Sequence, residues 1–599
     1  MKNKKHWFIL VLVGVFLANL TLRLTQIHSI PALFSSDEIH YIAEARALAV
    51  SGKGLVEGWT PWSLTPSHGW YAELSSVVLI PAQILFANDP ILAGRITNVL
   101  FGSLIPLLLA GIVYDHFQSR RAAVLTAVIA SVNPWLFQLS RLSYESFFSL
   151  FLYLLGWWLL QRKHLALQFL SLLPFVLGFF QYQGHKVLLV PLVFLVLAAQ
   201  VYGHFREKKW NWKKEYPRAL ILVSVLILTV WYMARIPSQN TAQRISMQIA
   251  AFDQAHLSRE VDERRRLSVI TPFTTLFVNK PVVLIEETLH RYFQSFNPVF
   301  FFWGGGNTAD SWSVTSKGKF YLLDIVLMIS GAVFLWSTKK RAAALLFAAV
   351  IVISPLPAIL VSGEVWAMFR TLFLAPTLIL LMGMGAWGLV RQWNVKWTAA
   401  FCGVYLFLSL PFFYDYFYRY PLYSTTDVYF YDRVLASYAK RITTDKKLFV
   451  IADEIPNLFS KILYYNGLIT KASAAEIAHN YSTNVFEIER LKVVDTCFDP
   501  TAMSQDTIIA HQIRKGFCVG AREDVAAASK PVVIANMKDS GSVYTLYGDA
   551  LCSQYELPKY SRVQKNVFAM EQLSDQEFCQ SFFVQYDPQR PPAEVPPAE

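Results

Sequence analysis

The run Trp7-Phe-Ile-Leu-Val-Leu-Val-Gly-Val-Phe-Leu-Ala-Asn-Leu-Thr-Leu-Arg-Leu24 is followed by Pro31-Ala-Leu-Phe-Ser-Ser-Asp37-Glu38-Ile-His-Tyr41-Ile-Ala-Glu-Ala-Arg46. The first stretch is apolar and long enough to cross a bilayer, and the residues before it, Met1 to Lys5, are basic. The second places two adjacent carboxylates just past the opposite membrane face. In a chain that crosses repeatedly, such a pair points to chemistry on a substrate presented by the lipid. The first span is longer than the roughly 7–15 apolar residues of a signal-peptide core, and no small-x-small site follows it. It is expected to be retained.

Composition supports repeated crossing. Of 599 residues, 54% are hydrophobic and only 16% charged, against about 25% charged in soluble domains. The net charge of +12 could suggest nucleic acid, but the basic residues cluster in short loops. These are Lys2/Lys4/Lys5, Arg120/Arg121, Arg162/Lys163, Arg206 to Lys214, Lys339 to Arg341, and Arg391/Lys396. That is the positive-inside pattern. The excess charge is topogenic, and no nucleic-acid partner is expected.

Apolar segments near 7–26, 91–115, 122–140, 144–161, 165–181, 186–203, 218–235, 319–337, 342–361, 368–390 and 397–414 predict about eleven spans. The N-terminus is then cytoplasmic, and every basic cluster lies inside. Leu74 to Ala87 is short and reads as a juxtamembrane helix. The outer loops become 26–90 and 236–318. Residues 1–414 thus form a polytopic, mainly α membrane domain, and 415–587 an extracytoplasmic α/β domain with strand-like runs at Lys447 to Ala452, Pro531 to Asn536 and Val543 to Tyr547. The proline-rich tail 588–599 is expected to be disordered. The placement is a cell (plasma or inner) membrane. Cys497, Cys518, Cys552 and Cys579 all fall in the outer domain and predict disulfides. Neighbours in sequence suggest Cys497–Cys518 and Cys552–Cys579, though other pairings stay open.

Ionisable residues collect at outer span ends, whereas the span interiors are nearly free of charge. Asp37 and Glu38 open a helix that runs to Leu48, and Glu145 starts another span. Each suits a helix N-terminus, and each also suits a general base near lipid. Lys186, in Gln181-Tyr182-Gln-Gly-His185-Lys186, could snorkel to the interface. With Arg370 and Arg95, however, it runs against the positive-inside trend and invites an anionic partner such as a lipid phosphate.

These residues resemble the protein-mannosyltransferase-like branch of the GT-C glycosyltransferases, which includes protein O-mannosyltransferases and lipid A aminoarabinose transferases. The resemblance covers roughly the first 390 residues. It is carried by Asp37 to Arg46, by Gly94-Arg-Ile-Thr-Asn-Val-Leu-Phe-Gly102, and by Asn133-Pro-Trp135 through Ser140-Arg-Leu-Ser-Tyr-Glu145. Arg291-Tyr-Phe-Gln-Ser-Phe-Asn-Pro-Val-Phe-Phe-Phe-Trp-Gly-Gly-Gly306 and Phe369-Arg-Thr-Leu-Phe-Leu-Ala-Pro376 extend it. No single motif is specific; their order carries the likeness. It implies transfer of a sugar from a polyprenyl-phosphate donor to an acceptor hydroxyl on a protein, lipid or glycan outside the membrane, with inversion. Asp37 would be the base, with Glu38 and Glu145 as further catalytic acids. Lys186, Arg370, His185 and Arg95 would hold the donor phosphate, and Tyr41, Arg141 and Tyr182 would contact substrate.

The Trp-Trp-Asp motif of metal-dependent oligosaccharyltransferases is missing, so no cofactor is expected to be required. Asp37-Glu38 could still hold Mg²⁺ or Mn²⁺, since carboxylates suit those ions. The competing classes are a lipid or sugar-lipid transporter and a membrane-anchored binding protein.

Overall fold

The computed structural model describes residues 2–67, 71–206, 212–235, 253–304, 313–338, 341–361, 367–424, 428–496, 506–512, 531–537, 540–561, 570–587 and 589–590. Cys497, Cys518 and nearly all of the tail lie outside the described residues. Among the described residues, six helices are long and apolar enough to cross a membrane: His6–Leu24, Pro90–Phe117, Lys186–Phe205, Tyr216–Arg235, Arg341–Ile359 and Val395–Leu422. Four shorter apolar helices are Glu145–Leu160, Leu165–Phe179, Leu322–Ser337 and Leu374–Val390.

Every segment expected to span is therefore helical, but length alone does not establish eleven crossings. The segment at 122–140 is the clearest departure. It forms α5 (Arg120–Ser131) and α6 (Pro134–Leu139), separated at Asn133. Pro134 has no N–H and is favoured at a first helical position. Asn133 accepts from Leu136 N at 3.1 Å, capping a new helix instead of continuing the old one. The segment at 368–390 is likewise divided, into Ala367–Arg370 and Leu374–Val390.

The elements that place the site lie near the start of the chain. After α1 (Lys2–Leu24), α2 (Ser36–Ser51) begins with a reciprocal cap between Ser35 and Glu38. It stops at Gly52, whose φ of 72° suits a residue without Cβ. The expected juxtamembrane helix is α3 (Ile80–Leu85), with Ile84 60% and Leu85 75% exposed. Asp89 caps α4 (Pro90–Phe117) through Leu92 N at 3.0 Å. The turn after α6 leads into α7 (Glu145–Leu160).

Among the described residues, the C-terminal part forms one mixed sheet of β1 (Lys447–Ile451), β2 (Phe486–Ile488), β3 (Leu491–Val494), β4 (Thr507–Gln512), β5 (Val532–Ala535), β6 (Ser542–Tyr547) and β7 (Phe583–Gln585). Its order is β2-β3-β1-β4-β6-β5-β7, with β1 parallel to β3 and β4 and the other pairings antiparallel. Cys552 and Cys579 are joined, with their Cα atoms 5.2 Å apart.

Two large cores result. One lies inside the helical bundle around Trp135, Tyr153, Trp157 and Phe347. The other is shared between the two ends of the chain. In it Phe34, Ile39, Ile42 and Ala45 of the α2 region pack with Phe430, Val434, Phe459 and Leu463 of helices covering the sheet. Arg433 reinforces this seam by donating to Ala32 O at 2.6 Å. The helix that carries Asp37 is thus held between bundle and sheet.

Candidate active site

The N-terminal end of α2 is fastened to the turn before α7 by Glu38. Its Oε2 accepts from Ser35 N at 3.1 Å, and its Oε1 accepts from Ser143 N at 2.7 Å. The side chain is fully buried; desolvation pushes its pKa up, while Arg95 and the two N–H donors oppose that shift. The Tyr144 hydroxyl donates to Ser35 Oγ at 2.9 Å. Ser143 Oγ donates to Gly94 O, and Asn98 Nδ2 donates to Leu142 O. Residues 142–145 are therefore tied to α2 and α4 at once, and this tie sets where Glu145 can go.

It goes to Tyr41. The Tyr41 phenol is buried, hydrogen-bonded to Glu145, and lies in the field of both Glu145 and Asp37. Burial raises its pKa well above the phenol range, and the two carboxylates add to the shift. Asp37 keeps part of its surface open, whereas Glu145 is 6% exposed. Tyr71 packs edge-on against Tyr41 at 5.0 Å and stacks on His40 at 4.2 Å, closing one side. Two acids from elements more than a hundred residues apart in sequence thus converge on one hydroxyl.

The short helix that ends at Arg370 packs against the 142–145 turn and α7. Phe369 lies 4.4 Å from the Tyr144 ring, and Trp135 Nε1 donates to Met368 O at 2.8 Å. Arg370 itself is half-buried.

The other expected phosphate ligands are placed differently. Lys186 Nζ bonds both oxygens of Glu73, at 2.8 and 2.6 Å, and the Tyr232 hydroxyl at 2.8 Å. Its charge is already neutralised inside the protein. His185 is fully buried, and desolvation lowers its pKa to about 3. Ser149 Oγ donates its proton to Gly178 O, so it accepts from His185 Nδ1 at 3.0 Å. His185 is thus a neutral ring, not a cation. Tyr182 meets it edge-on at 4.8 Å.

Arg95 and Arg141 brace backbone. Arg95 donates to Ile27 O at 2.7 Å and Leu33 O at 2.9 Å and lies over the Phe34 ring. Arg141 donates to the carbonyls of Arg23, Thr25, Gln26 and Ile30 and to Tyr416 Oη. This forms the 23–30 corner rather than an open substrate contact. Sequence reasoning missed Glu73, Tyr71, Tyr144 and Tyr232. Only Glu73, a lone acid beside the apolar stretch 74–87, left a visible signal.

For a divalent ion, Asp37 and Glu38 do not act as a pair. Adjacent helical positions diverge by about 100°, and both Glu38 oxygens already accept from backbone N–H groups. Asp37 shares the field at Tyr41 with Glu145, not with Glu38. Among the described residues, no cluster of three or more His, Cys, Asp or Glu side chains is suited to a metal.

One acid on α2 gives a pH test. Glu44 Oε2 accepts from Leu55 N at 3.1 Å, while its Oε1 has no hydrogen-bond partner among the described residues. Burial raises its pKa from 4.5 to about 7. The protonated form is favoured in the folded state, so its stabilising effect is complete below about pH 4.5 and is lost as pH rises to about 7. Over that window the loss is roughly 3 kcal/mol. Glu44→Gln should therefore raise the unfolding midpoint at pH 8 and flatten its fall between pH 4.5 and 7. An unchanged pH profile in thermal unfolding would contradict this assignment.

No family model matches the chain, and no curated protein matches it. Among solved structures, it is similar to the oligosaccharyltransferase AglB from Archaeoglobus fulgidus, described in complex with an inhibitory peptide and a dolichol-phosphate. Identity is 11%, the match covers 91% of this chain and 75% of that one, and the TM-score is 0.45. It is also similar to ArnT from Cupriavidus metallidurans bound to undecaprenyl phosphate, at 13% identity, 92% and 99% coverage, and a TM-score of 0.36. With TM-scores below 0.5 they carry no argument, and the site is read from its own geometry.

Proposed function

We propose that the chain is a membrane glycosyltransferase that moves a sugar from a polyprenyl-phosphate donor to an acceptor hydroxyl, with Asp37 as base. The observation that carries this reading is that Asp37 and Glu145, from elements far apart in sequence, both bear on the buried Tyr41 phenol. The acceptor oxygen attacks the anomeric carbon while Asp37 takes its proton. The bond from that carbon to the phosphate oxygen breaks, and the polyprenyl phosphate leaves. A single displacement inverts the anomeric centre. Tyr41, bonded to Glu145, fixes the direction from which the acceptor approaches.

Arg370 stabilises charge on the leaving phosphate. Lys186 joins it only where the phosphate displaces Glu73. Protein, lipid and glycan hydroxyls all fit as acceptors. The site faces the exterior of a plasma or inner membrane, and the sheet domain lies on that same side. Mg²⁺ or Mn²⁺ has no essential part in this scheme.

The test is direct. Purified full-length protein is incubated with radiolabelled polyprenyl-phosphate hexoses and pentoses together with membrane acceptors, with and without chelator. Loss of label from one donor and its recovery on an acceptor is the expected result. Donor that binds or crosses vesicles without losing its sugar would sink the transferase reading in favour of transport.

A further inference from the structure

A cavity of about 570 Å³ opens between α2, the α3–α4 turn and the helices that cover the sheet. It is not part of the site around Tyr41. Arg46 lines it, and nine positions along a helix at 100° each put Arg46 about 180° from Asp37, on the opposite face of α2. Asn88, Asp89, Lys440 and Tyr465 supply other walls.

Two cations and two acids line this cavity. Asp89 bonds to His28 at 2.7 Å and caps α4 through Leu92 N, and Glu571 pairs with Arg433 at 2.6 Å, so both acids are engaged. Arg46 donates to the carbonyls of Gln83 (3.0 Å) and Ile469 (3.4 Å) and forms no ion pair among the described residues. Lys440 is exposed and forms no ion pair among the described residues. Two cations, one from the membrane part and one from the sheet part, thus border the same space without anionic partners. Such a space suits an anion, and the planar guanidinium fork of Arg in particular suits two oxygens of a phosphate.

The cavity also adjoins an apolar surface. Gln83 of α3 turns inward to the Tyr464 hydroxyl at 3.1 Å and lines the cavity, while the next two residues, Ile84 and Leu85, turn outward and are 60% and 75% exposed. A cavity bordered by two cations without ion pairs, beside an outward apolar helix, is complementary to a phosphate headgroup with its chains alongside.

We propose that this cavity binds the phosphate of an anionic membrane lipid, with its chains against Ile84 and Leu85, at a second site separate from Asp37. The bound headgroup bridges Arg46 and Lys440 and so braces the sheet against the membrane part. This proposal needs only a membrane setting and does not depend on the transferase reading.

The test uses the full chain in nanodiscs of phosphatidylcholine with a minority of phosphatidylglycerol, with native mass spectrometry reading the lipids retained on extraction. The parent should retain phosphatidylglycerol in preference to phosphatidylcholine. Lys440→Gln, at an exposed side chain without an ion pair, should lower that retention about fivefold, the loss expected for one cation near a lipid headgroup. Arg46→Gln should lower it further. Lys559→Gln, on the same part of the chain but not lining the cavity, should leave it unchanged. Added inorganic phosphate should not displace the lipid; displacement would make free phosphate the ligand and overturn the lipid assignment. Equal retention by the parent and Lys440→Gln, equal loss in Lys559→Gln, or no preference for phosphatidylglycerol would each overturn the proposal.

Discussion

Asp37→Asn is expected to lower turnover by about 10²–10⁴-fold, the usual contribution of a positioned general base. Asn keeps the shape of the side chain and is itself a good residue at a helix start. The cap of α2 is in any case made by Ser35 and Glu38, so folding should survive. Donor-lipid binding should persist, because the base acts on the acceptor and not on the phosphate. Glu145→Gln should reduce turnover less, since Gln can still bond Tyr41. The measurement is single-turnover transfer at saturating donor, with circular dichroism and thermal unfolding as controls. Full activity in a well-folded Asp37→Asn protein would remove Asp37 from the mechanism.

The largest stability effect is expected at Arg141. Its guanidinium serves four backbone carbonyls and the Tyr416 hydroxyl in a fully buried position. Gln cannot reach that set, and each buried acceptor left unpaired costs about 1–3 kcal/mol. Arg141→Gln should therefore destabilise the chain by about 3–5 kcal/mol or abolish folded protein. Arg141→Lys keeps the charge but loses the fork, and should fail nearly as badly. A substrate contact would behave differently, with unfolding unchanged and only KM raised. That outcome would contradict the structural role.

Several features were legible in the sequence. The first apolar run, α4 and the strands at 447–451, 532–535 and 542–547 follow from hydrophobic length and periodicity. The neighbourhood of Asp37 and Glu145 followed from motif order. The cations were harder to read. A basic residue at an outer span end looks the same whether it awaits a phosphate, as proposed for Arg370, or already holds backbone carbonyls, as Arg95 and Arg141 do. Lys186 illustrates the same limit, because its partner Glu73 is 113 positions away and no local pattern links them. Span lengths were blurred by capped prolines such as Asn133-Pro134, where hydropathy continues but the hydrogen-bond ladder stops. Glu38 read as an acid near lipid, yet its carboxylate is occupied by Ser35 and Ser143.

The shared core has a consequence for how the protein is made. Residues 32–45 leave the ribosome early, but many of the apolar groups in their core lie between residues 429 and 583. Domains emerging from synthesis generally fold in order from the N-terminus, and this one cannot complete its first outer helix in that order. Until residues beyond 429 arrive, Phe34, Ile39, Ile42 and Ala45 lack much of their cover, and α2 is held by α3, α4 and the 142–145 turn. Nascent chains halted before residue 430 should be inserted in the membrane yet catalytically silent. The acids of the site would then become active only when translation is complete.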